Sequence, residues 1–238
     1  MTARTARTAL VVRGGWDAHC PVDATNLFVP FLEEHGCEVR IEESNEVYAD
    51  EPLMRCTDLV VQSLTMSEIS PEAFRGLAAA VRRGTGLAGW HGGIADSYRA
   101  SSDYLQLVGG QFATHPSKDP AQCVGDETDN FLPHTVHVTD LGRAHEITAG
   151  VEDFTLTTEQ YWVLHDDLID VLATTTHPVQ PYHPWHRPIT SPVVWTRLWG
   201  DGRIVVATPG HSLGVLRDPN VRTILERGML WATRTASE

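Results

Sequence analysis

The chain has 238 residues, 42% of them hydrophobic and 21% charged, which excludes disorder or coiled coil as the main state and suits one large domain. Its apolar runs fall far short of the roughly 20 residues that span a bilayer, so no membrane partner is expected. With 18 basic against 31 acidic side chains, the formal net charge of -13 disfavours nucleic acid and anionic lipid as partners.

In chain order, residues 1–7 read as a disordered tail, with no apolar stretch long enough for a secretion signal. A single domain is expected over 8–236. Residues 8–12 form a short apolar strand that ends at Gly14-Gly15. Ala24, Leu27, Phe28, Phe31 and Leu32 then recur on one helical face, closed by Gly36. Residues 37–41 alternate as a second strand, and residues 58–64 are a Val/Leu run typical of a buried parallel strand. Ser70-Pro71 supplies an N-cap and a first-turn proline for a helix carrying Phe74, Leu77, Ala78 and Val81. Residues 87–90 make a strand that stops at His91-Gly92-Gly93, and a helix follows through Tyr98, Tyr104, Leu105 and Val108.

Strand followed by helix, four times over, predicts an α/β fold with a mostly parallel, doubly wound sheet and ligands at the carboxyl ends of its strands. The second half reads differently. Strands are expected over 135–139, 154–163 and 170–176, then a Pro-rich loop over 177–192, whose role as a lid stays open. A hairpin turns at Gly200-Asp201-Gly202, and a final helix is capped by Asp218-Pro219. The apolar hairpin over 194–206 is a candidate surface for a homo-oligomer. Cys20, Cys37, Cys56 and Cys123 lack metal or disulfide spacing and read as reduced thiols of a cytoplasmic protein.

Histidine is the compositional oddity, with 12 in the chain. Three histidines stand beside glycine where a strand gives way to a loop: His19 after Gly14-Gly15, His91 before Gly92-Gly93, and His211 after Gly210. Strand ends of a parallel sheet share one rim, so these imidazoles are expected to meet. The frame Gly89-Trp90-His91-Gly92-Gly93 is shaped like a nucleophile elbow with imidazole in place of Ser or Cys. Imidazole there serves as a general base, a hydrogen-bond donor or a metal ligand, against the plainer alternative of turn packing.

His115 precedes a proline after a helix, and Glu159 lies in an apolar, aromatic stretch where a buried carboxylate requires a partner. Three histidines and one glutamate suit a divalent metal, zinc first. Trp16, Trp90 and Tyr161 are candidate rings for stacking a sugar, or else core anchors. No Walker A or HExxH motif occurs, and no nucleotide cofactor is expected.

These motifs together resemble one family. Arg13-Gly14-Gly15 with His19, Gly89-Trp90-His91-Gly92-Gly93, Gly109-Gly110-Gln111-Phe112 with His115-Pro116, Thr158-Glu159-Gln160-Tyr161, and Gly210-His211 are similar, in order, to the ThuA-like (trehalose utilisation) family. The resemblance runs over nearly the whole chain. It implies the three-layer α/β/α sandwich of the flavodoxin-like and class I glutamine amidotransferase-like proteins. His91 stands where those amidotransferases carry their nucleophilic cysteine, which removes amidotransferase activity. The recurring polar positions of the family fall on His19, His91, His115, Glu159 and His211.

The expected function is therefore a carbohydrate-metabolism enzyme, a hydrolase or an isomerase or lyase, acting on a disaccharide or keto-sugar derivative. His91, His19 and Glu159 would be catalytic. His115, His211, Trp16, Trp90 and Tyr161 would hold the sugar, and a metal would sit among His19, His91, His211 and Glu159. The alternative is a non-catalytic sugar-binding or regulatory module on the same fold.

Overall fold

The computed structural model describes residues 6–235. In chain order it consists of β1 (Arg7–Gly15), α1 (Pro21–Asn26), α2 (Val29–Glu34), β2 (Cys37–Glu42), α3 (Glu51–Cys56), β3 (Leu59–Thr65), α4 (Pro71–Arg82), β4 (Gly86–Trp90), α5 (Gly92–Ala95) and α6 (Ser102–Val108). There follow β5 (Gly110–Thr114), β6 (Phe131–Val138), α7 (Asp140–Ala144), β7 (Phe154–Glu159), β8 (Trp162–His165), β9 (Asp170–His177), β10 (Ile189–Trp199), β11 (Gly202–Ala207), α8 (Leu213–Leu216) and α9 (Pro219–Ala232).

The main sheet has nine strands in the order β2-β1-β3-β4-β11-β10-β9-β6-β7, and β5 pairs with β8 in a separate ribbon. Pairing is parallel from β2 to β11 and antiparallel from β11 to β7, so the sheet is mixed. Within the parallel half β1, β3, β4 and β11 are buried on both faces, and β2 is a largely exposed edge strand. Along β1, Ala9 and Val11 enter the apolar layer that holds Phe28, Ile224 and Met229. Leu10 and Val12 enter the opposite layer with Leu77, Ile94 and Leu107. A strand period of two thus serves two helical layers at once.

Several sequence boundaries shift. The tail ends sooner than expected: Arg7 already pairs with Cys37, while residues 1–5 and 236–238 lie outside the described residues. The helix expected up to Gly36 is split at Leu27-Phe28, where α2 restarts with proline in its first turn. The strand expected over 154–163 breaks at Gln160-Tyr161 because the chain leaves the main sheet for the ribbon with β5. Ser70 caps α4 as expected, its hydroxyl accepting from the Ala73 amide at 3.1 Å.

Most of the apolar hairpin packs inward: Val194, Trp195 and Val206 are buried in the chain's own core, while Leu198 near its turn is exposed. The four cysteines are free, Cys37 buried and the others exposed. No helix among the described residues is long and apolar enough to cross a membrane.

Candidate active site

The carboxyl ends of β1, β3, β4 and β11 converge, as the parallel order requires. Just past β1, His19 sits in a short helical turn, while Thr65 closes β3, His91 follows β4 and His211 follows β11. The antiparallel half contributes from the other side: Glu159 ends β7 and Tyr161 lies in the crossing to β8.

His91 occupies the elbow. Its φ of 50° and ψ of -144° place it in backbone space that non-glycine residues rarely adopt. The turn closes only because the next two residues lack side chains. A Cβ on Gly92 would lie 2.8 Å from His19 Cε1 and from Thr65 Cγ2, and one on Gly93 would lie 2.7 Å from Ser63 Cα. The elbow is pinned by its amide donating to Ala207 O at 2.7 Å and by the ring Nδ1 donating to Thr208 O at 2.8 Å.

That second bond decides the tautomer. With its proton on Nδ1, neutral His91 offers a lone pair at Nε2, which faces the Tyr161 hydroxyl at 2.9 Å and Glu159 Oε2 at 3.1 Å. The same Oε2 lies 3.2 Å from His211 Nδ1. On its outer side, His211 Nε2 faces Glu127 Oε2 at 4.0 Å. His19 is held through Nδ1, 3.0 Å from Thr65 Oγ1, and its Nε2 is buried without a hydrogen-bond partner. The rings of His19 and His91 meet edge to face at 4.6 Å, and those of His19 and His211 at 5.2 Å.

One ligand atom from each of His19, His91, Glu159 and His211 lies within 4.8 Å of the others. His115 adds a fifth group, with Nε2 3.4 Å from Glu159 Oε1.

Burial governs the charges. It brings His19 down to about 3, with His91 and His211 pushing the same way against Glu159. Burial also lowers His115. For Glu159 burial works upward, but His211 and His91 outweigh it and hold the carboxyl well below its ordinary range. Burial, with the nearby Glu159 charge, raises the Tyr161 phenol, so it stays protonated.

A cleft of about 420 Å³ opens onto this cluster, with Trp16, His19, His115, Glu159 and Tyr161 among its walls. Trp16 stands 43% exposed at the rim, its ring 4.8 Å from that of His19. Trp90 does not reach the cleft: it is 2% exposed and packs against Phe28 at 5.0 Å, so its expected sugar-stacking role is corrected to a core role. On a pleated strand the residue before the elbow points into a helical layer while the elbow side chain turns to the rim. The Pro-rich loop over 177–192 contributes no wall; Asp126, Glu127 and Asn130, from the segment before β6, do.

Those three residues, with Asp96, Arg99 and Phe112, escaped the sequence reading. Arg99 pairs with Asp96 through both carboxylate oxygens and lies over the Phe112 ring at 5.4 Å. An Asp and an Arg three apart just beyond the elbow were the available signal. Nothing marked Asp126, Glu127 and Asn130, which lie in irregular chain.

Residues 8–232 match the ThuA family model, described as trehalose utilisation. In three dimensions the chain is similar to a ThuA-like protein of Bacteroides uniformis, at 15% identity over 98% of this chain and 93% of that one, with a TM-score of 0.69. A ThuA-like protein of Parabacteroides merdae gives 16% identity, the same coverages and a TM-score of 0.69. A cytoplasmic protein of Salmonella typhimurium gives 12% identity over 95% of this chain and 100% of that one, with a TM-score of 0.61. At such identities the likeness shows the fold. No curated protein matches the chain in sequence.

Proposed function

The chain belongs to the ThuA, or trehalose utilisation, family, which suggests a role in sugar metabolism, and from that premise we propose a metal-dependent enzyme acting on a neutral disaccharide or keto-sugar derivative. His19, His91, His211 and Glu159 would hold a divalent ion, zinc first, and His115 would remain for proton transfer.

The observation that carries this reading is the orientation of the three imidazoles. Each turns one nitrogen toward the shared centre; the other hydrogen-bonds Thr65 in His19 and Thr208 O in His91, and in His211 it faces Glu127 at 4.0 Å. That is how metal-binding histidines are held, with the outer group fixing tautomer and ring angle. Left to themselves, the inward atoms make a poor set. His91 Nε2 brings a lone pair to within 3.1 Å of a carboxylate oxygen, and His19 Nε2 is buried with no partner. A cation at the centre satisfies both at once.

Such an ion would polarise a sugar carbonyl or an attacking water. The chain's own groups do the rest. His115 faces the cleft beside Glu159, placed to accept a proton from a carbon next to a carbonyl or from water. Trp16 offers an apolar face to a sugar ring, and Asp126 and Asn130 offer partners for its hydroxyls. The walls are rich in carboxylates, and the Arg99 guanidinium is already engaged by Asp96. Both features favour an uncharged sugar over a phosphorylated one.

The test is to strip the protein with chelator, reload it with Zn²⁺, and assay disaccharides and their keto forms for turnover and thermal stabilisation. Zinc-dependent product formation is expected. Sugar-induced stabilisation without any product would favour the binding-module reading instead.

A further inference from the structure

Tyr161 is the buried group that the proposed chemistry leaves unused. Its ring stacks on His91, centroids 4.4 Å apart at 30°, and packs against Phe112 at 4.5 Å. Its hydroxyl lies 2.9 Å from His91 Nε2. In the neutral ring whose Nδ1 proton goes to Thr208 O, Nε2 accepts and the phenol is the donor. Nε2 has a single lone pair, and that same lone pair is the one a metal would take.

We infer that metal and phenol would compete for His91 Nε2, and that the Tyr161 hydroxyl, once displaced, would become the hydrogen-bond donor to any oxygen ligand the ion takes on besides the four side chains. The inference rests on the metal reading above. Three observations support it. Tyr161 lines the cleft while being only 4% exposed, so its hydroxyl does not turn to bulk water once it loses Nε2. Its ring is clamped between His91 and Phe112, so the oxygen stays beside the centre while the hydrogen turns. Its main chain is also tied down, since Tyr161 O accepts from His177 Nε2 at 3.0 Å. A donor fixed within about 3 Å of a ligand nitrogen lies within reach of an oxygen bound to the same ion. No covalent bond forms or breaks in this exchange; one hydrogen bond is replaced by a metal–nitrogen bond and a second hydrogen bond.

The test uses Tyr161→Phe in the full chain, stripped of metal and titrated with Co²⁺, whose visible spectrum reports coordination. Phenylalanine keeps the stack but has no hydroxyl to displace, so Co²⁺ should bind Y161F about three- to tenfold more tightly than wild type. Acetohydroxamate, an exogenous oxygen ligand, should then bind cobalt-loaded wild type about three- to tenfold more tightly than cobalt-loaded Y161F. Opposite signs for the two effects are the signature, since a merely structural role for the ring would weaken both or neither.

Equal or weaker Co²⁺ binding by Y161F overturns the competition and leaves the metal reading standing. Equal acetohydroxamate binding overturns the donor role. Absence of a cobalt spectrum in both proteins overturns the metal reading and this inference with it. Should Y161F fail to fold, the wild-type protein still answers: Zn²⁺ must perturb the ultraviolet absorption of a buried tyrosine, and no perturbation overturns the inference.

Discussion

The two halves of the sheet build the site by different means. The parallel half, β2 to β11, is a strand array whose inner strands are buried on both faces, and its loops deliver His19, His91 and His211 to one rim. The antiparallel half, β10 to β7 with the β5–β8 ribbon, delivers Glu159 and Tyr161 from the point where the chain crosses between sheets. His19, His91 and His211 therefore come from one half, and the carboxylate, the cover and His115 from the other. The site exists only while both halves hold their places.

The largest effect should come from breaking either contribution. His91→Ala removes the nitrogen at the elbow, and Glu159→Ala removes the oxygen that His91 and His211 both approach. Each should weaken zinc binding by about 100-fold or more, measured by competition with a chromophoric chelator. If only the His91 variant loses zinc, the antiparallel half contributes cover alone.

A second prediction strikes the parallel half by sterics. In Gly93→Ala the new Cβ would lie 2.7 Å from the Ser63 main chain, which cannot swing aside as a flexible side chain can. Urea unfolding should show a loss of about 1–3 kcal/mol. An unchanged midpoint would mean that the elbow does not depend on close backbone approach.

The antiparallel half can be read through His177, which supports Tyr161 from behind. Burial lowers its pKa from 6.5 to about 4. The unfolded chain then binds the extra proton between those values, so the stability contributed by neutral His177 is full above pH 6.5 and is lost as pH falls toward 4. His177→Gln keeps a donor to the Tyr161 carbonyl but cannot titrate. Its unfolding free energy should fall less steeply over that interval, by about 2 kcal/mol in total. Parallel curves for the two proteins would contradict this.

The smallest effect on the fold belongs to the rim. Trp16 is 43% exposed, so Trp16→Ala should leave stability within about 0.5 kcal/mol of wild type. It should weaken sugar binding by about tenfold through the lost ring face, measured by calorimetry.

The same division explains what the sequence made legible. In the parallel half a Val/Leu run followed by Gly and His marks a buried strand entering a tight turn, and the shared rim follows from topology, so His19, His91 and His211 were readable together. Glu159 was readable because a carboxylate amid aromatic residues needs a partner. Its location was not, because the departure from the main sheet at Gln160-Tyr161 is set by pairing with β5, about 50 residues away in sequence. Trp90 misled because a tryptophan beside a polar motif looks the same in sequence whether its strand turns it toward the cleft or the core. Asp126, Glu127 and Asn130 carried no periodic signal, since irregular chain has none to give.

The central claim is that strand-end imidazoles from one half and a carboxylate from the other enclose a single ion. Anomalous diffraction at the zinc edge, from crystals of wild-type protein loaded with Zn²⁺, tests it most directly. The account predicts one strong peak at about 2.0–2.2 Å from a nitrogen of each of His19, His91 and His211 and from an oxygen of Glu159. A peak elsewhere, or none at that centre under saturating zinc, would contradict it.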